Sequence, residues 1–152
     1  VVQSAKAKDV ARAASSACAC NNLRKASRAI TQVFDDALRP IGLRVTQFGI
    51  LGTTMSLEPV TVTRLADELV TDRTTLTRNL NLLEKRGFIE IQPGEDRREK
   101  LVTLTPAGRD ALASGHPHWK LAQQRVVDGL GPQQWTTLRD ALAAVIDLVH
   151  RK

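Results

Sequence analysis

The chain has 152 residues, 42% of them apolar, which suits one globular domain with its own core, or a small domain joined to an assembly element, and excludes a disordered chain. Its formal charge of +6 and pI near 9.9 are compatible with a polyanionic partner. No window approaches the run of about 18 apolar residues that a membrane span needs. Lys6, Lys8 and Arg12 are not followed by the apolar stretch of a signal peptide, so a soluble cytoplasmic protein without membrane contact is expected.

Residues 1–17 are rich in Ala, Ser and Lys with weak periodicity, and are read as an N-terminal arm, either a frayed helix or disordered. From Cys20 to Leu38 the apolar positions Leu23, Ala26, Ile30, Val33 or Phe34, and Ala37 recur at threes and fours, as one helical face requires. Pro40 and Gly42 end that helix. Thr46 opens a second helix, Gln47–Ser56, with Phe48, Leu51 and Met55 on one face, and Glu58-Pro59 breaks it.

Thr61 is placed to cap a short helix, Val62–Leu69, through its hydroxyl. Val70-Thr71 makes a tight connection, and Asp72 or Thr71 caps the next helix, which runs to about Arg86 with Leu76, Leu80 and Leu83 inward. Gly87 supplies a left-handed stop. The period then changes: Phe88–Gln92 and Leu101–Thr105 read as strands around a charged hairpin tip, Pro93–Glu99. Two strands alone are marginal, so they must lie on the helices. A helical region from Pro106 to about Leu130 follows, which Pro117 should kink or interrupt. Gly131-Pro132 separates it from a last helix, about Gln133–His150, with Leu138, Leu142, Val145, Ile146 and Val149 on one side. The expected fold is mostly α with a small β wing: four helices, a two-stranded wing, two helices.

Thr61–Arg86 has the form of a helix-turn-helix, a short positioning helix and a sharp turn before a second helix that enters the major groove. Ala66 and Leu69 pack the first helix on the second. The outer face of the second presents Arg73, Thr74, Thr75, Thr77, Arg78 and Asn81. Arg bonds two acceptors on guanine, Thr bonds a base edge or touches a thymine methyl, and the helix N-terminus suits a phosphate. The plain alternative is a solvated helix face, but Thr is a poor helix former with no local reason to repeat there. The hairpin tip contains Asp96 and Arg98. An Arg at a projecting tip suits a narrow, electronegative minor groove, with the Asp two residues away holding it in position. A solvated turn is the alternative, made less attractive by the helix-turn-helix before it.

Residues 61–104 hold eight Lys/Arg and eight Asp/Glu, so any DNA binding there depends on placed residues. Residues 1–60 carry +4, and general phosphate attraction would fall to them.

Gly42-Leu43 with Thr46-Gln47-Phe48, Leu65-Ala66, Asp72-Arg73-Thr74-Thr75-Leu76-Thr77-Arg78, Leu83-Glu84-Lys85-Arg86-Gly87, and Asp96-x-Arg98 with Leu104-Thr105-x-x-Gly108 together resemble the MarR family of transcriptional regulators, in order over roughly residues 20–150. The resemblance implies a homodimer whose first and last two helices intertwine, binding to pseudo-palindromic double-stranded DNA, usually repression, and release by a small-molecule effector or by thiol oxidation. It also implies that Asp96 and Arg98 are the paired wing residues and that Arg73 to Arg78 begin the recognition helix. On this reading 46–105 is the winged helix-turn-helix, and 18–45 with 106–152 is the helical dimerisation region.

Cys18 and Cys20 are the candidate sensor residues. Cys20, eight residues before Arg28, resembles the cysteine of the organic-hydroperoxide-sensing branch, but the tyrosines that branch uses are missing, since this chain has no Tyr. Arg24, one turn on, and Lys25 favour a thiolate; a small buried cysteine is the alternative. On a regular helix residues two apart point about 200° away from one another, so joint chelation by Cys18 and Cys20 requires a frayed helix start. With His116-Pro117-His118 they would suit a thiophilic metal or metalloid, and no metal site is assigned. Trp119 and His116 are candidates for lining an effector cleft, with core packing as the alternative for Trp119.

Neither a Gly-rich phosphate loop nor a recognisable Ser-His-Asp context occurs. The expectation is therefore no enzyme and no cofactor, with a winged helix that binds only protein as the alternative class.

Overall fold

The computed structural model describes residues 10, 16–96 and 98–150, except the side chains of 149 and 150. The arm expected over 1–17 lies almost wholly outside the described residues. Helix α1 spans Ala19–Leu38 and is followed by a 3-10 turn, Arg39–Ile41. Gly42 closes the turn at φ 67, where a side chain would be strained, and donates its N–H to Arg39 O. Helix α2 spans Val45–Leu57, starting one residue before Thr46: Arg44 is the N-cap, and its N–H is accepted by Gln47 Oε1 at 3.1 Å.

Strand β1, Val60–Thr61, was not expected. It pairs antiparallel with β3, Lys100–Leu104, which also pairs with β2, Ile89–Pro93. The wing is thus the outer part of a three-stranded sheet of order β1-β3-β2. Two residues show too little alternation to be read from sequence, and β1 exists only because β3 offers an edge. Between β1 and β2 lie α3, Val62–Glu68, and α4, Arg73–Lys85. Thr61 caps α3 through Arg64 N at 3.1 Å, and Asp72 caps α4 through Thr75 N at 2.8 Å. Both caps are as expected.

The core gathers Leu51, Val60, Leu65, Leu76, Leu80, Leu83, Ile89 and Val102, all essentially inaccessible. The α4 face of Leu76, Leu80 and Leu83 is buried as predicted, each side chain adding about 1.5–3 kcal/mol of apolar burial. On α2 the inward set is Ile50, Leu51 and Thr54, and Met55, expected beside Leu51, is 52% exposed. The α2 face is turned by its neighbours: Phe48 and Gly52 look toward the following long helix, and Met55 lies with them. Glu58 ties the end of α2 to the sheet, its carboxylate accepting from Leu104 N at 2.7 Å and pairing with Arg109.

Helix α5 spans Pro106–Leu130 without interruption, so Pro117 does not break it. Proline removes one backbone hydrogen bond, but packing holds both sides of it. Gly115 fits so closely on α2 that a Cβ would lie 2.5 Å from the Phe48 ring, and Ala122 is buried beyond the proline. Helix α6 spans Pro132–His150. Its apolar stripe is not buried: Leu138, Leu142, Val145 and Ile146 are exposed, and Leu148 is 81% exposed. On α1 only Phe34 and Leu38 are buried, while Leu23, Ala26 and Ile30 are exposed. Both helical periods are present as expected. The reason for the exposure is that, among the described residues, nothing packs over those faces.

Candidate nucleic-acid interface

Helix α4 and the wing face each other across an open cleft of about 230 Å³. Its walls include Arg73, Thr77 and Asn81 from α4, and Arg98 and Lys100 from the wing, with Thr61 and Thr63 from the preceding helix start. The helix spacing explains the first set, since residues 73, 77 and 81 recur every four positions while Leu76, Leu80 and Leu83 point into the core. Four of the eight residues expected to touch DNA thus come together. Thr74, Thr75 and Arg78 are exposed on α4 outside the cleft, and Asp96 is exposed at the wing tip.

Local bonding modifies their roles. The Thr77 hydroxyl donates to Arg73 O at 2.7 Å, so its methyl and its acceptor lone pairs are the parts left over. The Asp72 carboxylate occupies the α4 N-terminus. Hydrogen bonds from Thr75, first its hydroxyl and then its backbone N–H, hold the Asp72 pKa below the usual value of 3.8. The carboxylate thus takes up one of the free N–H groups at the helix end where a phosphate is also expected. At the wing, Asp96 does not grip the Arg98 guanidinium. Its carboxylate accepts the Arg98 backbone N–H at 2.9 Å, and its carbonyl accepts Glu99 N at 2.8 Å. The aspartate shapes the turn that projects Arg98, a backbone role that residue spacing does not distinguish from a side-chain pair.

Sequence reasoning did not assign Thr63 or Lys100 to the site. Lys100 had a signal, a cation beside Arg98. Thr63 had none, because its place depends on how α3 packs against the sheet.

Away from this interface, Cys18 is the N-cap of α1 and Cys20 lies within its first turn; both are exposed in the single chain and unbonded to each other. Among the described residues no group of three or more His, Cys, Asp or Glu converges as a metal site would require. A second cleft of about 490 Å³ between α2 and α5 is lined almost wholly by apolar surface, including Phe48, Met55, Leu112, His116 and Trp119, with Arg109. His116 stacks on Trp119 at 5.9 Å, and Phe34 meets Trp119 at 6.4 Å, so Trp119 both packs and lines the cleft.

The model of the MarR family matches residues 41–99, the stretch from the turn after α1 to the wing. The DNA complex of the M. tuberculosis transcriptional regulator MosR is 36% identical, covering 87% of this chain and 96% of that one, with a TM-score of 0.79. The chain belongs to the MarR family. This MarR-family chain is also 32% identical, over 56% of its length, to a helix-turn-helix-type transcriptional regulator of Bacillus subtilis, YwoH. It spans 62–65% of the length of that protein and of similar Bacillus regulators. The organic hydroperoxide resistance transcriptional regulator of B. subtilis is 27% identical over 88% of this chain and 90% of its own length. As a MarR-family fold, the mostly helical chain with its small sheet is a winged helix-turn-helix. No helix among the described residues is long and apolar enough to cross a membrane.

Proposed function

We propose that this chain is a transcriptional regulator that binds double-stranded DNA as a homodimer, α4 entering the major groove and the wing reaching the adjacent minor groove. The observation that carries this reading is the common cleft of Arg73, Thr77, Asn81 and Arg98, cationic and hydrogen-bonding groups from two separate elements facing one open space. The exposed apolar faces of α1 and α6 support dimerisation, since an unpaired stripe of Leu138, Leu142, Val145 and Ile146 is stable in water when a second copy covers it. Residues 18–45 and 106–152 would then form the dimer and 46–105 the DNA-binding unit. One α4 reads a short half-site, so the operator is pseudo-palindromic. Repression follows when such an operator overlaps a promoter.

Two features support regulation of that binding. The exposed Cys18 and Cys20 thiols are open to modification, and the likeness to a hydroperoxide resistance regulator favours Cys20 as the responsive one. The α2–α5 cleft with Trp119 and His116 suits an apolar effector.

The test is a fluorescence-anisotropy titration with duplexes selected from a random library. A salt-sensitive, sequence-selective complex is expected, and Arg98→Ala should weaken it by about tenfold through loss of one charge-assisted contact. Unchanged affinity would remove the wing from the mechanism, and absence of any selective complex would end the reading. Adding a hydroperoxide or an aromatic acid to the same titration, with Cys20→Ser beside the parent, separates the thiol route from the cleft route.

A further inference from the structure

The tail of α4 holds a contact with no part in touching the DNA cleft. Arg86 caps the helix, and Gly87 at φ 72 turns the chain into β2. The Arg86 guanidinium lies 4.6 Å from the centre of the Phe88 ring, and its Nη1 donates to Gly42 O at 2.8 Å, 44 residues earlier in the chain. Among the described residues it forms no ion pair with a carboxylate. A planar guanidinium can stack on a ring and bond a carbonyl through its edge together, which a lysine cannot.

The two ends of this contact belong to different parts of the molecule. Gly42 closes the turn that joins α1 to α2. Arg86 ends the helix whose side chains line the DNA cleft. The other side of the same tail is clamped by α5: Thr105 Oγ1 donates to Gly87 O at 2.6 Å, and a Cβ on Gly108 would lie 2.0 Å from Phe88 O. Residues 86–88 are therefore braced toward α1 by one side chain and toward α5 by close backbone packing. Those are helices that lead to the proposed dimer interface.

We propose that Arg86 is a positioning residue that sets which half-site spacing the dimer accepts, by fixing the angle of α4 relative to α1. The inference rests on the dimeric reading above. In a dimer the distance between recognition helices is a property of how each is held relative to the twofold axis. A small rotation at residue 86 is levered along a helix of 13 residues, about 20 Å. Loss of the Gly42 brace leaves the tail of α4 held by the α5 clamp and by the buried leucines of the helix, with nothing fixing it toward α1, and the dimer then tolerates duplexes it previously rejected.

The test measures affinity for the selected operator and for versions with one base pair inserted or removed between the half-sites, at fixed salt, together with sedimentation of the free protein. The parent protein should lose about tenfold on a one-base-pair change. Arg86→Ala should bind the original spacing about fivefold more weakly and the altered spacings with little further loss. Arg86→Lys, which keeps charge and stem, should lie between them, and it carries the test if Arg86→Ala does not fold. A variant whose affinity falls equally at every spacing overturns the proposal while leaving the dimeric reading intact. A parent that sediments as a monomer, or is indifferent to spacing, overturns both.

Discussion

The segment from β1 to β3 and the terminal helix α6 contain similar apolar side chains at similar helical spacing, yet they meet opposite fates. In the first, Leu65, Leu76, Leu80 and Leu83 are at most 1% exposed, because α3, α4 and the sheet close around them. In the second, Leu138, Leu142, Val145 and Ile146 stay exposed, because α6 packs chiefly on the helix before it. Amphipathic periodicity thus specifies a face to be covered, without specifying what covers it. The DNA-reading unit closes its core within one chain. The terminal helices leave theirs open, which is why assembly belongs to them in the reading proposed here.

That contrast can be broken in stages. The largest effect is expected from Leu83→Ala, which opens a cavity in the closed core: about 3 kcal/mol of stability should be lost. Denaturant unfolding should show the same loss at low and high protein concentration; a concentration-dependent loss would mean that this core, too, relies on a partner. Leu142→Asp should instead leave the far-ultraviolet circular dichroism nearly intact while shifting sedimentation toward monomer, because a charge in an apolar interface is left unpaired. An unchanged sedimentation coefficient would place the dimer contact elsewhere.

The smallest effect concerns Asp72. Its folded-state pKa is depressed below 3.8 by the Thr75 hydrogen bonds, so the stabilisation from its charge is present above the unfolded value and is lost as pH falls through the folded one. Asp72→Asn should therefore melt slightly below the parent at neutral pH, with the two melting temperatures converging as the pH falls below 3.8 and through the lowered folded-state value. A gap that stays constant with pH would show that the hydrogen-bond geometry alone, and not the charge, caps α4.

Much of the site was legible because it depends on local chemistry. Capping needs a short polar side chain at a helix start, and Thr61 and Asp72 provide it. The alternation of core and surface along α4 follows from its own period, so Arg73, Thr77 and Asn81 could be assigned to the outer face before any packing was known. The neutral charge of residues 61–104 likewise pointed to a few placed cations, and Arg73 and Arg98 do line one cleft. What escaped depends on distant parts of the chain. Strand β1 is defined by its partner β3, Thr63 enters the cleft through a packing angle, and Arg86 finds its acceptor 44 residues away. Pro117 was expected to kink or interrupt its helix, and the fit of Gly115 against Phe48 and the burial of Ala122 keep that helix uninterrupted.

The sequence by itself determined the order of the helices and of the two wing strands, the caps at Thr61 and Asp72, the inward face of α4 and the family, all of which rest on residue type at short spacing. Only the tertiary structure decided that Asp96 bends the wing through the backbone of Arg98, and that the apolar faces of α1 and α6 remain uncovered among the described residues. The reason is that hydrogen-bond partners and burial are properties of pairs of surfaces, and a periodic pattern describes one surface at a time.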